Sequence, residues 1–108
     1  MATDTSLFSG SMTMLVLKLL EEKDMYGYEM IDTLSKRSNH VFEMKAGTLY
    51  PLLHSLVNQK CLKTYEQEVG GKKRKYYSLT AVGRSVLEAK QKTWHEYSQA
   101  VISVIGGA

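Results

Sequence analysis

Two glycines, Gly70 and Gly71, separate two runs in which side-chain character alternates, CLKTYEQEV and KKRKYYSLT. A Gly-Gly pair between alternating runs specifies a β-hairpin, because a type I′ turn needs positive φ at both central positions. The turn also sets the register, with Val69 facing Lys72. On one face Leu62 then opposes Leu79, Thr64 opposes Tyr77, Glu66 opposes Lys75 and Glu68 opposes Lys73. That face is expected to pass from apolar at its base to ion-paired at its tip. On the other face Tyr65 opposes Tyr76 and Gln67 opposes Arg74, so Arg74 and Lys72 have no acidic residue opposite.

Three helical patterns precede the hairpin. SMTMLVLKLLEEK, from Ser11 to Lys23, has apolar residues nearly all round it, the mark of a helix buried on more than one side, with Ser11 placed to cap it. YGYEMIDTLSKRS, from Tyr26 to Ser38, sets Tyr26, Met30 and Leu34 four apart. KAGTLYPLLHSLVNQK, from Lys45 to Lys60, aligns Leu49, Leu52, Leu53 and Leu56. Pro51 is tolerated if this helix starts close upstream, since the first four N–H groups of a helix have no internal partner. After the hairpin, Thr80 caps a last helix from Ala81 towards Ile105. On it Leu87, Trp94 and Val101 recur every seven residues, with Lys90, Tyr97 and Val104 in the companion row. A helix of that length spans roughly 37 Å, more than a small three-helix core needs. Its surplus apolar stripe predicts a second copy as partner, because C2 dimers dominate soluble oligomers.

At 108 residues the chain is one domain, or one domain with an appended element. It divides into an N-terminal arm (1–10), a helix-rich unit with a hairpin (11–80) and a C-terminal dimerisation helix (81–108). No apolar run reaches a membrane span, and the first residues lack a secretory pattern, so a cytoplasmic protein with no membrane partner is expected. The single Cys61 builds neither a disulfide framework nor a zinc site, and its apolar context reads as a small buried hydrophobe. His40, His54 and His95 have no metal-ligand spacing, and no glycine-rich phosphate loop follows a strand. No cofactor, metal or enzymatic activity is expected.

Net charge is only +3, but seven of the 14 Lys and Arg residues lie between Lys45 and Lys75. Lys72, Lys73, Arg74 and Lys75 are contiguous at the hairpin tip. Helix, helix, helix, hairpin is the order of a winged helix-turn-helix, whose third helix enters the major groove. Cations on the hairpin, or wing, then neutralise backbone phosphates. The simpler account makes the basic run a solvated edge that discourages strand pairing. The fold class expected is thus mainly α with a small β-hairpin: a winged helix-turn-helix plus a long C-terminal dimerisation helix.

YGYEMIDTL, GTLYPLLHSL and RKYYSLTAVGRSVL, in this order and spacing, resemble PadR-type transcriptional regulators, over nearly the whole chain. The single C-terminal helix is similar to the compact branch of that family. The resemblance implies a cytoplasmic homodimer that represses transcription and releases DNA when an effector or stress signal arrives. The chain departs from the family's usual pattern at Ser55, Val57 and Lys60, where relatives carry a basic residue, an acidic residue and glycine.

On the third helix, Thr48, Tyr50 and His54 lie on the polar side and are expected to contact double-stranded DNA, with Lys45 just before them on a phosphate. Tyr50 could instead pack in the core. Lys36 and Arg37 suit the dipole at the end of the second helix. Gly83 is expected to permit close packing of the last helix. Leu87, Trp94, Tyr97, Val101 and Val104 form the expected dimer stripe. Trp94 with Tyr97 and Lys90 would line a site for a planar aromatic effector near the dimer axis, or Trp94 is only a core aromatic. A two-fold dimer implies an inverted-repeat operator. The other classes considered are a winged-helix module that docks an acidic protein and a ligand-binding dimer with no DNA role.

Overall fold

The computed structural model describes residues 5–106. Its elements follow in the order α1 (Thr5–Glu22), β1 (Met25–Tyr26), α2 (Gly27–Arg37), α3 (Ala46–Asn58), β2 (Leu62–Val69), β3 (Lys72–Leu79) and α4 (Ala81–Ile105). The architecture is mainly helical with one small antiparallel sheet of strand order β1-β3-β2. The hairpin has the register that the Gly-Gly turn requires, from Leu62 opposite Leu79 to Val69 opposite Lys72. Gly70 and Gly71 have φ of 58° and 79°, the left-handed pair of a type I′ turn.

One core joins all the elements. α1 buries Val16, Leu17, Leu19 and Leu20; α2 adds Met30 and Leu34; α3 adds Leu49, Leu53 and Leu56. Met25, Leu62 and Tyr77 close it from the sheet, and Leu87 closes it from α4. Burying each such leucine contributes about 1.5–3 kcal/mol.

Several expectations need correction. α1 begins at Thr5, so residues 5–10 are helical and not an arm, and the Ser11 hydroxyl donates to the Phe8 carbonyl from inside the helix instead of capping it. Residues 1–4 of the expected arm lie outside the described residues. Tyr26 does not open α2. It is extended, pairs with Tyr76 as part of β1, and turns a hairpin into a three-stranded sheet. Pro51 is the sixth residue of α3, beyond the tolerated first turn, and the helix continues through it. The cost is the bond that the Gly47 carbonyl would have accepted.

The connection from α3 to α4 is tightly held. The Cys61 N–H bonds to the Leu56 carbonyl at 2.9 Å and the Lys60 N–H to the Val57 carbonyl at 3.0 Å. This is a Schellman closure with Lys60 in the left-handed position at φ 67°. The Thr80 hydroxyl donates to the Lys60 and Cys61 carbonyls at 2.6 and 3.0 Å, and accepts the Gly83 N–H at 3.0 Å. Gly83 lies against this corner: a Cβ there would overlap the Cys61 carbonyl oxygen and Leu79.

Two substitutions test the corner in opposite directions. Gly83→Ala is expected to destabilise the fold by about 1–3 kcal/mol, because the obstruction is backbone. Lys60→Gly is expected to stabilise it by about 0.5–1 kcal/mol, the relief of a left-handed residue less the added freedom of the unfolded chain. Thermal melts at one protein concentration should move down and up respectively, by about 4–8 °C per kcal/mol.

Candidate nucleic-acid interface

The leucines of α3 face inward, which leaves Gly47, Thr48, Pro51, His54, Ser55 and Asn58 exposed on its opposite face. The Ser55 hydroxyl accepts from the Gln59 amide at 2.9 Å. Among the described residues, Thr48, His54 and Asn58 make no side-chain hydrogen bond. Lys45 is the extended residue before the helix, is exposed, and has no ion pair among the described residues. Its carbonyl accepts the Thr48 and Leu49 N–H groups, which fixes the start of α3.

Tyr50 combines the two roles weighed for it. Its ring lies over Gly27, where a Cβ would collide with the phenol, and it meets Tyr28 edge-on with centroids 6.3 Å apart. Even so it remains 38% exposed. Gly27 is needed here for close approach, since any side chain would push Tyr50 off the second helix. Tyr28, 64% exposed at the start of α2, joins this surface and was not singled out in the sequence. Only the fold brings it beside Tyr50.

The turn between α2 and α3 is braced by polar contacts. Asn39 and His40 are both left-handed, at φ 53° and 65°. The Ser35 hydroxyl donates to Glu43 Oε1 at 2.5 Å, so it accepts from His40 Nδ1 at 2.8 Å. The Ser38 hydroxyl donates to the Leu34 carbonyl and accepts the Phe42 N–H. Phe42 stacks on Phe8 of α1 with centroids 4.9 Å apart. Lys36 and Arg37 end α2 as expected of dipole partners, each in an ion pair, with Asp32 and Glu22.

The wing tip differs from the sequence expectation. Glu66 and Glu68 stand opposite Lys75 and Lys73, but neither pair closes into a salt bridge among the described residues. The side chains are exposed and gain little from holding one geometry. Lys75 Nζ lies 5.6 Å from the Tyr77 ring instead. Arg74 is half-buried, with its guanidinium 4.2 Å from the centre of the Tyr26 ring. Tyr26 meets Tyr76 edge-on, Tyr76 stacks on Tyr65, and the Tyr65 hydroxyl donates to Asp24 at 2.7 Å. An aromatic ladder thus ties Arg74 to the body, while Lys72 and Lys73 project free at the tip.

On α4 the expected stripe splits. Leu87 is fully buried in the chain's own core, so it belongs to that core and not to an outward stripe. Trp94, Tyr97, Val101, Ile102, Val104 and Ile105 are exposed. Lys90, Trp94 and Tyr97 line a groove of about 450 Å³, whose other wall is Gly10, Ser11 and Met14 of α1. The sequence reading missed that wall because it took residues 1–10 as an arm. No helix among the described residues is long and apolar enough to cross a membrane.

Three phenols carry a titration signature. The hydrogen bond to Asp24 raises the Tyr65 pKa, and burial raises those of Tyr50 and Tyr77. The fold therefore favours the neutral phenols. Their contribution is complete below the unfolded value of about 10 and is lost as pH rises through the raised folded values. Phenolate absorbance should show Tyr50, Tyr65 and Tyr77 ionising above the ordinary phenol value. Asp24→Asn should bring only Tyr65 back towards the ordinary range.

The comparisons agree with this geometry. The Transcriptional regulator PadR-like family model matches residues 16–89, which include α2, α3 and the wing. A PadR family transcriptional regulator from Eggerthella lenta superposes with a TM-score of 0.81 at 34% identity, over 96% of this chain and 89% of that one. An uncharacterised protein of Lysinibacillus sphaericus is 34% identical over 98 residues, 90% of each chain. A transcriptional regulator of Mycobacterium tuberculosis is 28% identical over 87 residues, 81% of this chain and 78% of its own. The chain belongs to the PadR-like family of transcriptional regulators. The fold is accordingly a winged helix, and the class is that of DNA-binding transcriptional regulators.

Proposed function

We propose that this protein is a cytoplasmic homodimeric repressor that binds an inverted-repeat operator and leaves it when a planar aromatic effector binds. The observation that carries the DNA reading is the placement of free cations. Lys72, Lys73 and Lys75 on the wing and Lys45 at the start of α3 are exposed and close no salt bridge among the described residues, in a family whose members regulate transcription. Thr48, Tyr50 and His54 supply the contacts along α3, and Arg74 acts from its place on Tyr26. The exposed stripe of α4 from Trp94 to Val104 pairs with its counterpart in a second copy. The groove beside Lys90, Trp94 and Tyr97, where the indole and phenol rings lie 6.3 Å apart, takes the effector.

Changing Lys72, Lys73 and Lys75 together to Ala should weaken binding to every duplex alike and flatten the salt dependence by about two to three units. A mobility-shift series across salt concentrations measures this. Loss confined to one sequence would mean that the wing reads bases, and failure of the unaltered protein to bind any duplex even at low salt would favour a protein partner.

The dimer should protect two half-sites whose centres lie about one helical turn or a multiple apart. Planar aromatic compounds should quench Trp94 fluorescence saturably, and Trp94→Ala should weaken their binding while dimers persist in sedimentation. A monomer protecting a single half-site contradicts the dimer, and dissociation on Trp94→Ala without quenching makes Trp94 a packing residue alone.

A further inference from the structure

The helix proposed to enter the major groove, AGTLYPLLHSLVN, contains no Lys, Arg, Asp or Glu. At about 100° per residue its exposed residues share one arc with Pro51 in the middle. The commonest specific contact in the major groove is Arg or Lys, bidentate to guanine, and the residues near the N-terminus of a recognition helix reach the base edges. Here those residues are Gly47, Thr48, Pro51 and the partly covered Tyr50. None of them offers a charge, and two of them present carbon. Thr48 is exposed and carries a methyl beside an unbonded hydroxyl, and the Pro51 ring has no N–H to donate. Nothing lies within 4 Å of the Cβ position at Gly47, so the backbone there is open to close approach. The positive charge that holds DNA lies at the edges of this surface, on Lys45 and the wing, where it meets phosphates and carries no sequence information.

We infer that α3 reads thymine C5-methyl groups through Thr48 and Pro51, which makes the half-site rich in A·T pairs where α3 faces it. This rests on the DNA-binding reading above and adds its specificity. Apolar contact with the thymine methyl is the direct readout that the carbon of Thr48 and Pro51 can make, beside the polar groups of His54, Ser55 and Asn58 further along the face. Pro51 is kept inside the helix at the expense of a backbone hydrogen bond, and its exposed ring is not among the residues of the core cluster. A surface that touches the groove with carbon gives the ring a use that packing does not.

The test selects bound duplexes from a random library and then replaces each thymine of the selected site by deoxyuridine, which removes only the methyl. Loss of a contact worth about 0.8 kcal/mol corresponds to about a fourfold drop in affinity. The expected result is such a drop at one or two thymines per half-site. Thr48→Ser should abolish, and Pro51→Ala should reduce, the thymine–uracil difference at its own position. Pro51→Ala restores an N–H inside a helix, so an unchanged or raised melting temperature shows that the loss is not misfolding. Enrichment of guanine, with sensitivity to 7-deazaguanine and none to deoxyuridine, overturns the inference. So does binding without any sequence enrichment, which leaves the DNA-binding reading intact. Failure to bind any duplex overturns that reading itself.

Discussion

The Thr80 hydroxyl is the contact on which the arrangement of the outer elements depends. It donates to the last carbonyls of the α3 closure and accepts the Gly83 N–H in the first turn of α4. Four elements meet there: α3 ends, β2 begins, β3 ends and α4 starts. The Thr80 N–H also bonds to the Cys61 carbonyl, at 3.1 Å. A capping side chain contributes about 1 kcal/mol in a typical helix. This one also sets the direction of a 25-residue helix relative to the surface presented by α3. With Gly83 pressed against the same carbonyl, the helix has little freedom to pivot at its root.

The body and the wing are held by different forces. The body is close-packed aliphatic, from Val16 to Leu87. Beyond Leu62 every residue of β2 is exposed, so the wing has no core of its own. Its base is held by the ladder of Tyr65, Tyr76 and Tyr26, with Arg74 over the last ring. Stacked and edge-on aromatic pairs contribute about 0.5–1.5 kcal/mol each, and an exposed cation–π contact about 0.5–1. Because the ladder and not a set of closed salt bridges holds the base, the lysine side chains at the tip stay exposed and able to reach a partner.

The hairpin register and the bounds of α4 were legible because each rests on local chemistry: alternation with a Gly-Gly turn in one, a Thr cap in the other. The inward leucines of α3 were legible from their spacing for the same reason. Strand β1 was not. Two residues carry no period, and Tyr26 fits a helical stripe with Met30 and Leu34 as well as it fits a strand. Nor could Arg74 on Tyr26 be read, since the pair is joined only through β1 and β3. Leu87 satisfied the heptad that includes Trp94, but α4 runs over its own core before it projects, so the first member of the repeat is covered. The wall of the groove at Gly10 and Ser11 was hidden because Ser11 was read as a cap, an ordinary role for serine that here falls inside a helix.

Cys61 lies at the corner where Thr80, Lys60 and Gly83 meet, and it is 1% exposed. It is the chain's single thiol. A sulfur so enclosed is shielded from oxidants and alkylating reagents while the corner is intact, because thiol chemistry needs an accessible thiolate. Its modification rate therefore reports how often the α3–α4 corner opens. The chain carries its own clock for local unfolding, at the point where its reading surface joins its longest helix.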